Sequence, residues 1–168
     1  MRRGFGLIVV KRLIAIAFTL FTAAAIPAES TLWVTAVSKQ EGMGRAIVFR
    51  YVQAFPPEFQ RTRFPIRVIL VWQYKSESGM PVTHEREAMD RMEDLLEPLI
   101  KNATAGVLAI VSTGENLREW IFYTRSEQEF LLALNKALEG HPPFPIDIHV
   151  ASDPQWSTYE HFRKIVRE

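Results

Sequence analysis

No cysteine occurs anywhere in this chain of 168 residues, which excludes disulfides, thiolate metal sites and a lipid-modified amino-terminal cysteine. The fold must therefore be held by packing and hydrogen bonds alone. Histidine is scarce: His84, His141, His149 and His161 are the only four, and no two are spaced four apart on one helix as metal ligands often are, so neither a metal nor a cofactor is expected. Glycine is sparse too, with 8 in the chain. Gly42-x-Gly44 lacks the third glycine and the following helix of a phosphate loop and reads as a turn. Ser112 and Thr113 stand beside Gly114 without a Gly-x-Ser-x-Gly elbow, so serine hydrolase chemistry has no support.

Acidic residues are missing from the first 28 positions, which instead carry Arg2, Arg3, Lys11 and Arg12 ahead of an apolar run over residues 13–26. That run is shorter than the roughly 20 apolar residues of a membrane span, and small residues stand at its end, at Ala23 and Ala25, and just past it, at Ala28. The pattern predicts an export signal over residues 1–28, cleaved after Ala28 or Ala25, and a single mature domain over residues 29–168. The expected location is periplasmic or secreted, with membrane contact only through the signal before cleavage. The alternative, an uncleaved inner-membrane anchor, would place Lys11 and Arg12 at a costly depth. Arg2-Arg3-Gly4-Phe5 matches a twin-arginine signal only in part, leaving the Sec and twin-arginine routes both open. Of the 20 basic and 19 acidic residues in the chain, the mature part keeps 16 and 19, a net charge of −3, which argues against a nucleic-acid partner.

In the mature part, alternation predicts strands over residues 32–37 and 45–52 joined by the Gly42/Gly44 turn, then a surface loop over residues 53–63 around Pro56-Pro57. Residues 65–74 are almost wholly apolar, aromatic or β-branched, as suits a central strand covered on both faces. Thr83 can cap a helix bearing Met89, Met92, Leu95, Leu96 and Leu99 at helical spacing, with Pro98 expected to kink or stop it. Strands over 107–112 and 117–124 flank a short turn at residues 113–116. Ser126 and Glu129 sit at capping-box spacing before Phe130, Leu131, Leu134, Ala137 and Leu138, and Gly140 suits the left-handed position after the helix. A last strand alternates Ile146, Ile148 and Val150 with Asp147 and His149 on a wet face. Asp153 as cap and Pro154 in the first helical position then begin a terminal helix with Trp156, Tyr159 and Phe162 along one stripe. The order from residue 65 to 150 is the split β-α-β pattern of a ferredoxin-like α+β fold: an antiparallel sheet with helices on one face, plus an amino-terminal β-hairpin and a carboxy-terminal helix.

Glu119-Trp120-Ile121-Phe122-Tyr123-Thr124, followed about thirty residues later by Asp153-Pro154-x-Trp156-x-x-Tyr159, resembles the bacterial family known as domain of unknown function 695. The resemblance runs over about residues 33–164 and includes the first Trp-bearing strand and the Val-rich third strand. It implies no reaction, ligand or catalytic set. Some relatives look to be joined to a regulator of ribonuclease E, which implies protein binding, though an exported copy could not meet a cytoplasmic nuclease.

Trp120 and Phe122 point to one side of their strand and Ile121 and Tyr123 to the other, so both sheet faces carry apolar bulk. One face meets the helices; the other is covered by the hairpin, buried in a homodimer, or left as a surface for a protein or small ligand. Trp120, Phe122, Tyr123, Asp147 and His149 are the candidate binding residues, whereas Asp153, Pro154, Trp156 and Tyr159 are explained by structure. The reading is a non-enzymatic binding module. Its rival is a hydrolase using Asp147, His149 or a nearby Glu as acid or base, which requires a cleft around them.

Overall fold

The computed structural model describes residues 31–39, 45–102 and 105–166, so residues 1–28 and the Gly42/Gly44 turn lie outside the described residues. The elements are β1 (Leu32–Lys39), β2 (Ala46–Ala54), β3 (Ile66–Gln73), α1 (Thr83–Asn102), β4 (Val107–Gly114), β5 (Leu117–Thr124), α2 (Glu127–Leu138), β6 (Ile146–Ser152) and α3 (Ser157–Ile165), with a 3-10 turn at Arg61–Arg63. This is an α+β architecture: among the described residues six strands form one antiparallel sheet in the order β1-β2-β4-β5-β3-β6, carrying three helices.

Strands β3 and β5 lie inside the sheet, and their alternation sorts the side chains into two cores. Val68, Leu70, Trp72, Trp120 and Phe122 face Met89, Met92 and Leu96 of α1 and Phe130 and Leu134 of α2. On the opposite face Ile121, Tyr123, Ile110 and Tyr51 lie with Trp156 and Tyr159, so α3 covers the side that α1 and α2 leave open. A bulge between Leu108 and Ile110 keeps this two-sided pattern running through β4. It puts both Ala109 and Ile110 on the α3 face, while Leu108 and Val111 stay beneath α1 and α2. Strand β2 pairs with β1 on one side and β4 on the other, so the first two strands widen the sheet and leave its second face to α3.

Between β4 and β5 the chain turns on Glu115 and Asn116, with φ of 50° and 63°. Two consecutive left-handed residues make a turn whose twist matches that of the strands, and Asn tolerates the conformation better than most residues. Gly114 just before it has φ 153°, and a Cβ there would stand 2.5 Å from the Ala46 carbonyl and 2.8 Å from Ile47 Cα. That close approach of β4 to β2 requires glycine.

Helix α1 does not stop at Pro98 but continues to Asn102. The proline is exposed, so water can hydrogen-bond the Asp94 carbonyl that its missing N–H leaves free. The buried Leu99 one residue on holds the last turn against the core. At α2 the Ser126 hydroxyl accepts from the Glu129 N–H at 3.3 Å. The returning half of the box is replaced, because the Ser126 N–H donates to the Thr124 hydroxyl. Gly140 has φ 80°, the left-handed exit expected of it.

Replacing Gly114 with alanine combines a disfavoured φ with two backbone clashes and should destabilise the fold by about 2 kcal/mol or more. Urea unfolding of the variant beside the parent measures this, and equal midpoints would refute the close approach.

Candidate functional site

The second sheet face is organised by Asp153, one residue beyond β6. Its Oδ1 accepts the Ser157 N–H at 2.7 Å, and its Oδ2 accepts the Thr158 N–H at 3.1 Å and the Tyr123 hydroxyl at 2.9 Å. Asp153 therefore caps α3 from outside a turn, closed by the Trp156 N–H on the Asp153 carbonyl at 3.0 Å. This corrects the expected start of the helix: Pro154 sits in that turn, Trp156 takes the cap position with φ 54°, and Ser157 is the first helical residue. A left-handed Trp is strained. It is retained because the side chain is buried: the indole stacks on Tyr123 with centroids 3.8 Å apart, and its N–H donates to the Phe64 carbonyl at 2.9 Å.

Tyr159, one turn on, donates its hydroxyl to the Val52 carbonyl at 2.6 Å, and its N–H donates to the Tyr123 oxygen at 3.3 Å. The loop after β2 closes the cluster, with Phe55 stacked on Phe59 and the Arg61 guanidinium 4.9 Å from the Tyr159 ring centre. Burial pushes the Tyr123 hydroxyl up, and the adjoining Asp153 carboxylate pushes the same way, so the phenol remains a donor. Burial alone would raise Asp153, but the N–H groups of Thr158 and Ser157 and the Tyr123 hydroxyl outweigh it and hold the carboxyl below its ordinary value.

α3 rests on β2 through Phe162, whose ring centre lies 5.0 Å from those of both Phe49 and Tyr51. It leaves a groove of about 530 Å³ over β1, β2, β4 and β5, walled by Ala36, Phe49, Ile110, Ile121, Phe162 and Ile165. The rim exposes large apolar side chains, with Val37 at 56% and Ile165 at 58%. Glu119 also lines this groove, beside Ser112, Thr158 and His161. The half-buried Glu119 carboxylate accepts from the Ser112 hydroxyl at 3.1 Å across the β4–β5 pair and has no ion pair among the described residues.

Of the candidate binding residues, Trp120, Phe122 and Tyr123 are 0, 1 and 0% exposed. The expectation that these rings form a contact surface is corrected: α1 and α2 seal the first two and Trp156 the third, so no ligand reaches them without lifting a helix. Asp147 and His149 share one exposed face of β6, which among the described residues pairs only with β3, and neither lines the groove. The structure thus brings Tyr123 to the α3 motif and leaves Asp147 and His149 apart from it.

Two features went unread in the sequence. Glu119 is one; its outward position on a strand of large apolar residues was the available signal. Arg118 is the other, alternating inward with Trp120 and only 8% exposed. Its Nη1 donates to Asp90 at 2.8 Å and its Nη2 to Glu93 at 2.7 Å, and Glu93 also accepts from Trp120 Nε1 at 2.9 Å and from Arg50. These contacts tie α1 to β5. Among the described residues no group of three or more His, Asp or Glu side chains is placed to hold a metal, and no helix is long and apolar enough to cross a membrane.

The fold and the capped helix together define an α+β domain built on one antiparallel sheet and closed by a carboxy-terminal Asp-Pro-x-Trp-x-x-Tyr clasp. The chain belongs to a family of unknown function, DUF695, whose model matches residues 31–163. No curated protein and no solved structure matches it.

Asp153 titrates lower in the folded chain than in the unfolded one, so its stabilisation is complete above the ordinary carboxylate range and is lost as acid protonates it. At pH 7, Asp153→Asn should therefore lower stability by about 2 kcal/mol. The gap to the parent should close as the pH falls below about 4. Denaturant midpoints across pH measure both, and a pH-independent gap would show that the charge is not the cause.

Proposed function

We propose that this is an exported, non-enzymatic binding module, and that the groove beside α3 takes a ligand with an apolar body and a cationic amine or guanidinium head. The observation that carries the reading is the Glu119 carboxylate, half-buried among apolar walls and unpaired with any cation among the described residues. A carboxylate in such a site costs desolvation that a cationic partner would offset. The exposed apolar rim supplies contact for the ligand body. The hydrolase alternative is less well supported, because Asp147 and His149 stand on an open edge strand away from the groove. A nucleic-acid ligand fits poorly with a mature charge of −3.

The scaffold we infer is a ferredoxin-like split β-α-β layer with an added amino-terminal hairpin. The spatial order β4-β5-β3-β6 supports it, together with α1 and α2 contributing to one core and β1 pairing antiparallel with β2. Export is supported by the basic and apolar character of residues 1–28, and by a family match that begins at residue 31, after both expected cleavage points.

Calorimetric titration with n-octylamine, octanol and octanoate tests the groove. Octylamine should bind best and octanoate worst, and Glu119→Gln should weaken octylamine roughly tenfold while sparing octanol. Equal affinity for amine and carboxylate would overturn the role of Glu119. The compartment has its own check: intact mass of the protein recovered from producing cells should place the amino terminus at Glu29 or Ile26, whereas a retained leader in the soluble cytosolic fraction would contradict export.

A further inference from the structure

We propose that the free edge of β6 pairs antiparallel with β6 of a second copy of this chain, about a two-fold axis through Ile148, joining two six-stranded sheets into one. Among the described residues β6 closes one end of the strand order and pairs only with β3. Its backbone is poised for a partner. The Asp153 N–H donates to the Pro65 carbonyl at 2.8 Å, in line with a ladder that pairs Ser152 with Ile66 and Ala151 with Arg67. Antiparallel alternation then turns the N–H and C=O groups of Asp147, His149 and Ala151 toward β3, and those of Ile148 and Val150 outward.

Natural edges are usually blunted by proline, lysine or a bulge. β6 contains no proline, lysine or arginine in Ile146–Ser152, and its pairing with β3 runs without a register shift. The opposite edge differs, because β1 carries an irregularity between Leu32 and Trp33.

The side chains favour a second copy as the occupant. An axis through Ile148 sets Ile148 against itself, Ile146 against Val150, and Asp147 against His149 of the second copy, twice by symmetry. Ile148 is 40% exposed in the single chain, and the pairing would cover it. The Asp and His side chains share the other face, where each carboxylate meets an imidazole N–H donor. A one-residue slip would set side chains from opposite faces across from one another and lose both matches.

Sedimentation velocity of the protein as recovered from producing cells, over a dilution series, tests this. The parent should reversibly form dimers. Ile148→Pro removes an N–H that points away from β3 and should give monomers with the internal ladder intact, and Ile148→Lys should do the same without changing the backbone. Asp147→His should weaken the dimer between about twofold and thirtyfold, and the double exchange Asp147→His with His149→Asp should restore it. A parent that is monomeric at every concentration, or dimers undiminished in both Ile148 variants, would overturn the proposal. Hydrogen exchange separates the other occupants: the Ile148 and Val150 amides should gain protection as concentration rises. Protection that persists at every dilution would assign the edge to another segment of this chain, and protection gained only on adding an unrelated extended peptide would assign it to a different partner.

Discussion

One buried carboxylate with three donors sets the form of the second half of this molecule. Asp153 collects the N–H groups of Ser157 and Thr158 and the hydroxyl of Tyr123. It thereby fixes where the chain turns after β6, where α3 begins, and which strand that helix is tied to. Trp156 is held in a left-handed backbone by that turn, and its ring is delivered flat onto Tyr123. The strain at Trp156 and the desolvation of Asp153 are both tolerable because each group is saturated with partners inside a dry cluster.

The two sheet faces are closed by different means, and the contrast explains where a ligand could sit. Under α1 and α2 the core is continuous, and the ionic group buried near it, Arg118, is neutralised by Asp90 and Glu93. Over the other face one short helix and the loop after β2 share the covering of strands from β2 to β5. The helix seals the Tyr123 end and leaves a groove beside Ile110, Ile121 and Phe49. Glu119 lies in this unfinished part of the core, where a polar group remains open to a partner.

Much of this could be read from residue spacing, and the failures have physical causes. β5 stands at Leu117–Thr124, as expected of an apolar run after the short turn at residues 113–116, and the two-sided burial of β3 follows from its nearly unbroken apolar run. The cap from Ser126 and the left-handed Gly140 were legible because each depends on local backbone chemistry alone. Pro98 does not stop α1, because one lost hydrogen bond on a wet face weighs less than the packing of Leu99 beyond it. The start of α3 was misread because the Tyr123 hydroxyl, thirty residues away, helps to hold Asp153 outside a turn in place of the N-cap. The same long-range contact makes Tyr123 part of the closure, and Glu119 became visible only once α3 was placed above it.

The clasp also orders events in time. Tyr123 and the strands around it emerge from the ribosome well before Trp156 and Tyr159, the residues that cover them. Until that final stretch is synthesised, a nascent chain can build the α1/α2 side but keeps a greasy, unroofed back. A premature stop codon between the end of α2 and Asp153 would strand it in that condition, so truncated products should be sticky targets for holdases and proteases, not slightly shortened versions of the native domain.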